Sequence, residues 1–164
     1  MTVGYNFEEQ LELGKRGEEV LDTIFREDYF IQTGDSLQRL GIDRIFIRED
    51  SMTYTVEYKT DFIAHRTGNA YVEIWTDRDN RKPGWLLKSK AQILIYYIPG
   101  SNRVVMLDMS VLKRKILKRR KLYKTVTCKN ETFTGEGLLV PLTDIDSFAF
   151  SSKTTPYSLE VFEN

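Results

Sequence analysis

Gly41-Ile42-Asp43-Arg44-Ile45-Phe46-Ile47 and Tyr54-Thr55-Val56-Glu57-Tyr58-Lys59-Thr60 are the two segments around which the chain is organised. Both are rich in β-branched and aromatic residues, and the polar stretch Arg48-Glu49-Asp50-Ser51 between them reads as a tight connection. Both are therefore expected to be strands. In a strand, successive side chains point to opposite faces. Tyr54, Val56 and Tyr58 then share one face of the second strand, and Thr53, Thr55, Glu57 and Lys59 share the other. Glu57 and Lys59 point the same way, roughly 7 Å apart along the strand. If the two strands pair, Asp43 comes to lie near Glu57.

Two carboxylates and a lysine suit a specific chemistry. Carboxylates hold a hard cation such as Mg²⁺, which keeps some water and accepts phosphate oxygens. Such a cation lowers the pKa of a bound water and stabilises charge on a phosphodiester. A neighbouring lysine orients or helps deprotonate that water, or offsets transition-state charge. Asp43 followed by Glu57-Tyr58-Lys59 resembles the active-site motif of the PD-(D/E)xK nuclease superfamily, which includes restriction endonucleases and archaeal-type Holliday-junction resolvases. Ile42-Asp43 stands for the "PD" half, without its proline, and Glu57-Tyr58-Lys59 for the "ExK" half. The competing explanation is a pair of surface charges on an antiparallel hairpin.

The phrase Gln38-Arg39-Leu40-Gly41-Ile42-Asp43 extends the resemblance, because several small members of the superfamily carry a polar lead-in to the strand bearing the aspartate. Gln38 and Arg39 are candidates to touch the scissile phosphate, or else to close the turn. The resemblance also covers the first helix. Residues Phe7 to Glu27 are rich in Glu, Leu and Lys, and Leu13, Gly17, Val20, Leu21, Ile24 and Phe25 fall on one helical arc. Glu18 borders that arc and Glu19 lies opposite it. In the resolvase branch a first-helix glutamate supplies a further acidic group near the metal, and the match Lys15-Arg16-Gly17-Glu18 implies Glu18 for that role.

Composition sets the outer bounds. The chain has 164 residues, 41% hydrophobic and 29% charged, with formal net charge +0. That suits a single globular domain over residues 1–164, with a loosely ordered tail expected over 151–164. A nucleic-acid-binding surface must then be local. The single cysteine, Cys128, excludes an internal disulfide and a thiolate metal cluster, and is expected to be a buried or inert thiol. The single histidine, His65, excludes a histidine-rich metal site and is expected to be solvated in a polar loop. No basic-then-apolar leader opens the chain, and no apolar run reaches about 18 residues. A cytoplasmic protein with no membrane partner is the resulting expectation.

Further along, Tyr29-Phe30-Ile31-Gln32 reads as an edge strand, and Ala70 to Trp75 as a third strong strand with Tyr71, Glu73 and Trp75 on one face. Glu73 is a candidate accessory acid, or a cross-strand partner of Lys59 or Arg44. Arg78, Arg81 and Lys82 sit in a polar loop that can meet a phosphate backbone, and Trp85 is either a base-stacking or a core aromatic. Ile93 to Ile98 is nearly all apolar, which predicts a central strand buried on both faces and returning through Pro99-Gly100-Ser101-Asn102. Asp108 is placed to cap a helix from Met109 to about Tyr123, whose buried stripe is Leu112, Ile116 and Tyr123. Lys113, Arg114, Lys115, Lys118, Arg119, Arg120, Lys121 and Lys124 put eight cations within twelve residues, with no acidic residue among them. That is the strongest charge asymmetry in the chain and suits phosphate contacts that carry affinity without sequence information. Thr125 to Thr134 reads as a strand, Gly135-Glu136-Gly137 as a turn and Leu138-Leu139-Val140 as a short strand.

The expected fold is α/β, a restriction endonuclease-like mixed β-sheet flanked by helices. The expected activity is Mg²⁺-dependent cleavage of DNA, with Mn²⁺ as substitute. Asp43 and Glu57 are the metal ligands, Lys59 positions the attacking water, and Glu18 assists. Gln38, Arg39, Lys113, Arg114, Lys118, Arg119, Arg120 and Lys121 would contact DNA. Cutting both strands of a duplex calls for a second site, so a homodimer is part of this expectation. The alternative is a module on the same fold that binds nucleic acid or a partner without cleaving it.

Overall fold

The computed structural model describes residues 7–129 and 131–157. In chain order they form α1 (Phe7–Phe25), β1 (Phe30–Thr33), a 3-10 turn (Asp35–Leu40), β2 (Arg44–Ile47), β3 (Thr53–Thr60), α2 (Ala64–Thr67), β4 (Asn69–Asp77), β5 (Lys82–Pro83) and α3 (Trp85–Lys88). Then follow β6 (Ile93–Ile98), β7 (Arg103–Asp108), α4 (Met109–Lys118), β8 (Lys124–Lys129), β9 (Thr134–Pro141), α5 (Leu142–Phe148) and β10 (Ser151–Thr154).

The main sheet has six strands in the order β1-β2-β3-β6-β7-β10. β3 and β6 run parallel and the other pairs antiparallel, so the sheet is mixed, as expected. β6 is its central strand in both senses. Leu94, Tyr96 and Ile98 point into one hydrophobic cluster and Ile95 and Tyr97 into the other. That two-sided burial is why the segment reads as an unbroken apolar run.

Helix α1 covers one face. Leu21, Ile24 and Phe25 pack there against Phe46, Val56, Tyr58 and Ile95, and each fully buried side chain of this kind is worth about 1.5–3 kcal/mol. The predicted arc is the buried one, and Glu19 is exposed. Gly17 sits directly on β3: a Cβ there would lie 2.2 Å from Thr60 Oγ1. The absence of a side chain lets the helix approach the strand that carries Glu57 and Lys59.

The other face is covered by α4, α5 and a second sheet, ordered β5-β4-β9-β8. A third strand in the main sheet is therefore corrected: β4 leaves it and pairs with β9. Its inward residues Val72 and Ile74 pack on Leu94, Leu107 and Val140, a cluster that its own neighbours in sequence could not supply. Gly135-Glu136-Gly137 is not a turn but part of β9. Gly137 serves there as a bare patch for the Tyr71 ring, which would lie 2.4 Å from a Cβ.

Four further expectations change. Ser151–Thr154 pair with β7 as an ordered edge strand, because Thr154 opposite Arg103 and Ser151 opposite Met106 complete that strand's open side; the rest of the predicted tail, 158–164, lies outside the described residues. The helix from Met109 ends at Lys118, and a 3-10 turn over Arg120–Leu122 carries the stripe on to buried Tyr123. Cys128 is exposed on the edge strand β8 rather than buried. His65 is half-buried rather than solvated, its ring lying over Gly100. Among the described residues no helix is long and apolar enough to cross a membrane.

Candidate active site

The site begins at a turn. Gly41 ends the 3-10 turn at φ 66°, a left-handed conformation that favours glycine, and its N–H donates to the Gln38 and Leu37 carbonyls. A Cβ there would also meet the Ser89 backbone at 2.8 Å. Beyond it the chain enters β2 with Arg44 opposite Val56, and Asp43, just before that pair, lines the same cleft as Glu57. The two strands pair, and Asp43 and Glu57 come to face one cleft.

Asp43 is fixed at three atoms. Its N–H donates to the Val56 carbonyl (2.9 Å), its carbonyl accepts from Arg44 Nη1 (2.9 Å), and its Oδ2 accepts from the Tyr58 N–H (2.8 Å). Its Oδ1 takes no hydrogen bond among the described residues. Glu57 is 3% exposed, deeper than a surface hairpin charge would be. Its Oε1 lies 2.9 Å from Lys59 Nζ, while its Oε2 is buried with no hydrogen-bond partner. A buried carboxylate oxygen left unpaired costs free energy unless something else satisfies it.

These residues line a cleft of about 510 Å³ together with Gln38, Gly41, Glu73, Trp85 and Ser89, and with Lys82 and Lys88. β4 delivers Glu73 from the second sheet. Its Oε2 accepts from the Trp85 N–H (3.2 Å) and from Thr76 Oγ1 (3.1 Å). Glu73 is thus not a ladder neighbour of Lys59, as pairing within one sheet would have made it, but its charge still reaches that lysine. Burial alone would pull the Lys59 ammonium down. The Glu57 carboxylate, with Asp43 and Glu73 behind it, outweighs burial and raises its pKa above the usual 10.5. Lys59 is therefore a cation at neutral pH. It can donate hydrogen bonds and offset negative charge.

A hard divalent cation fits the donor set. Two oxygens, Asp43 Oδ1 and the orphaned Glu57 Oε2, are left without protein donors on neighbouring carboxylates. Among the described residues no group of three or more His, Cys, Asp or Glu is placed to hold a metal ion, so any cation here would rest on two carboxylates. Two carboxylates and an open side suit Mg²⁺, which retains water and binds through one or two carboxylates plus substrate phosphate.

Glu18 does not line the cleft. It lies on the α1 side of the sheet, where its carboxylate is 2.9 Å from Arg44 Nη2. Burial first, and then the Asp43 charge, raise its pKa above 4.5, with Arg44 opposing. Asp22, which sequence reasoning passed over, is buried beside it and accepts from Arg44 Nε (3.0 Å) and the Tyr58 hydroxyl (3.0 Å). At 100° per residue it lies beyond Glu18, outside the apolar arc, so the helical pattern does not mark it. Ser89 was also missed. It is fully buried, and its hydroxyl donates to the Gly41 carbonyl (2.7 Å), fastening the turn before Asp43. Nothing in its local sequence marks it.

Gln38 reaches the cleft, whereas Arg39 is exposed on the same turn and does not line it. The basic segment starts at the cleft wall, where Lys113 Nζ donates to the Ser89 carbonyl. Burial first, and then the charge of Lys90, lower the pKa of Lys113. The segment is not free of acidic partners, because other elements supply them. Arg119 lies 3.6 Å from Asp144 and Arg120 lies 3.3 Å from Glu136. Arg114, Lys118 and Lys121 are exposed and form no ion pair among the described residues.

No protein-family model matches the chain, and no curated protein does. Among solved structures, a bacterial homing endonuclease is similar over 62% of this chain and 70% of its own, at 17% identity and a TM-score of 0.46. A likeness of that extent establishes neither a shared fold nor a shared activity.

Proposed function

We propose that the chain is a metal-dependent DNA endonuclease of the PD-(D/E)xK kind, with Asp43 and Glu57 as metal ligands and Lys59 beside them. The observation that carries this reading is the unsatisfied, buried Oε2 of Glu57, on a residue lining a cleft shared with Asp43 and the Lys59 ammonium. A structural ion pair on a hairpin would leave that oxygen in water.

Hydrolysis adds water to phosphorus and breaks one P–O bond, and the departing oxygen takes up a proton. A divalent cation held by Asp43 and Glu57 supplies Lewis-acid polarisation of the phosphoryl oxygens and an acidified water. The chain's own residues position and balance charge. Lys59 donates to the attacking water or a non-bridging oxygen and offsets the charge that grows there. Gln38 offers an amide to the same phosphate region. Lys82 and Lys88 line the cleft, and Arg114, Lys118 and Lys121 extend the positive surface along α4 and the turn after it. Because net charge is zero, this local surface carries the backbone attraction.

The test incubates the protein with plasmid, single-stranded and four-way-junction DNA in Mg²⁺ or Mn²⁺, beside Lys59→Ala and an EDTA control. Cleavage by the wild type alone, abolished by EDTA, is expected. DNA retention on a gel without cleavage of any substrate would instead identify a binding module.

A further inference from the structure

Behind the cleft lies a buried polar network that the proposed chemistry leaves unused. Arg44 sits next to Asp43 on the opposite face of β2, 8% exposed beneath α1. Its guanidinium is filled on every side. Nε and Nη2 contact Asp22 at 3.0 and 3.1 Å, Nη2 also contacts Glu18 at 2.9 Å, and Nη1 donates to the Asp43 carbonyl at 2.9 Å. Asp22 in turn holds the hydroxyl of Tyr58, whose N–H holds Asp43 Oδ2. A closed loop therefore runs from α1 through Arg44 and Tyr58 to the carbonyl and the carboxylate of Asp43.

We propose that Arg44 is the positioning residue for Asp43, and that the α1 carboxylate Glu18 acts on the site only through it. This rests on the nuclease reading of the cleft. Two features of the network would bear on Asp43. First, the planar guanidinium binds the carbonyl and both carboxylates at once, which fixes the backbone on which Asp43 is carried; an ammonium, a compact point charge on a flexible stem, lacks that rigid fork. Second, one positive charge set beside Asp43 would compete with a cation for that carboxylate. Glu18 and Asp22 neutralise it from the far side, so Asp43 keeps its charge for the cleft. Glu18 thus serves without touching cation or substrate.

The experiment measures Mn²⁺ affinity by titration calorimetry, together with kcat and KM for plasmid cleavage and thermal unfolding. The proteins are wild type, Arg44→Lys, Glu18→Gln, Glu18→Ala and the double variant Arg44→Lys with Glu18→Gln. Arg44→Lys is expected to weaken Mn²⁺ binding at least tenfold and to lower kcat, while KM for DNA stays within twofold. Glu18→Gln keeps an oxygen for Arg44, so its loss should be smaller than that of Glu18→Ala. It should add nothing once Arg44 is lysine. A direct ligand would behave otherwise: Gln and Ala would be equally damaging, and the loss would persist in the lysine background. That result overturns the proposal, as does an Arg44→Lys protein matching wild type in Mn²⁺ affinity and kcat. In both cases the wild type still binds and cuts, so the nuclease reading survives. A wild type that neither binds Mn²⁺ nor cuts defeats both.

Discussion

Replacing Lys59 by alanine tests the environment of Glu57 independently of any activity. Lys59 is the only cation within 4 Å of the Glu57 carboxylate among the described residues, at 2.9 Å from Oε1, and the Glu57 side chain is 4% exposed. Removing one partner of a fully buried pair costs about 3–5 kcal/mol, because the other charge is left uncompensated. The Lys59 side chain is 34% exposed, so water entering the vacated space offsets part of that. About 2 kcal/mol is the resulting expectation. For a domain of this size that is a fall in Tm of roughly 4–8 °C. The assay is thermal unfolding at neutral pH in EDTA, for wild type, Lys59→Ala, Glu57→Gln and the double variant. Removing both charges is expected to recover more than half of the deficit, giving a coupling energy that additivity would not. If Lys59→Ala melts within a degree of wild type and the double variant is no better, Glu57 is solvated. The case for an orphaned buried carboxylate then collapses.

Four other outcomes follow from named contacts. Gly17→Ala pushes a methyl into Thr60 Oγ1 and should destabilise by about 1–3 kcal/mol in urea melts, despite alanine's better helix propensity, with partial recovery by Thr60→Ala. An increase in stability would show that α1 does not sit on β3 this closely. Burial raises the pKa of Glu18, so folding takes up a proton there between pH 4.5 and the raised value. Wild type should gain stability relative to Glu18→Gln as pH falls through that window, with the difference flattening below it; a difference that ran the other way would refute the burial of that carboxyl. Asp108→Ala removes the cap that accepts from the Val111 N–H at 3.0 Å and should cost about 1 kcal/mol at neutral pH by chemical denaturation. Ser110 in the first place holds the Asp108 pKa below 3.8, so the cap's contribution persists above that value and is lost only as pH falls through the lowered one. Finally, Lys118→Gln with Lys121→Gln should flatten the log–log salt dependence of DNA binding by about 2, leaving Tm unchanged, if both meet phosphates; an unaltered slope would remove them from the contact surface.

Much of the architecture could be read directly because its causes are local. The alternation in Tyr54 to Lys59 set the faces of β3, the 100° arc set the buried side of α1, and the unbroken apolar run at Ile93 to Ile98 marked the central strand. Asp108 announced a helix start through its side-chain chemistry. The failures have one shared cause. The glycines of Gly135-Glu136-Gly137 look like a turn, but Gly137 is selected by a neighbour 66 residues away, the Tyr71 ring that covers it. The basic segment has no acidic residue of its own, yet Asp144 and Glu136 arrive from α5 and β9 to pair with Arg119 and Arg120.

The same division runs through the candidate site. Sequence by itself determined that Glu57 and Lys59 share one face, because side-chain direction in a strand alternates with every residue, and it put Asp43 near them on the condition that the two strands pair. Only the tertiary structure decided what surrounds them. It buried Glu57 and left one oxygen without a partner. It brought Glu73 across from a second sheet and Ser89 up behind Gly41, and it turned Glu18 away from the cleft toward Arg44. Direction is a property of the local backbone. Burial, charge compensation and the value of an unpaired oxygen depend on which distant segments arrive within a few ångströms, and no stretch of chain carries that information alone.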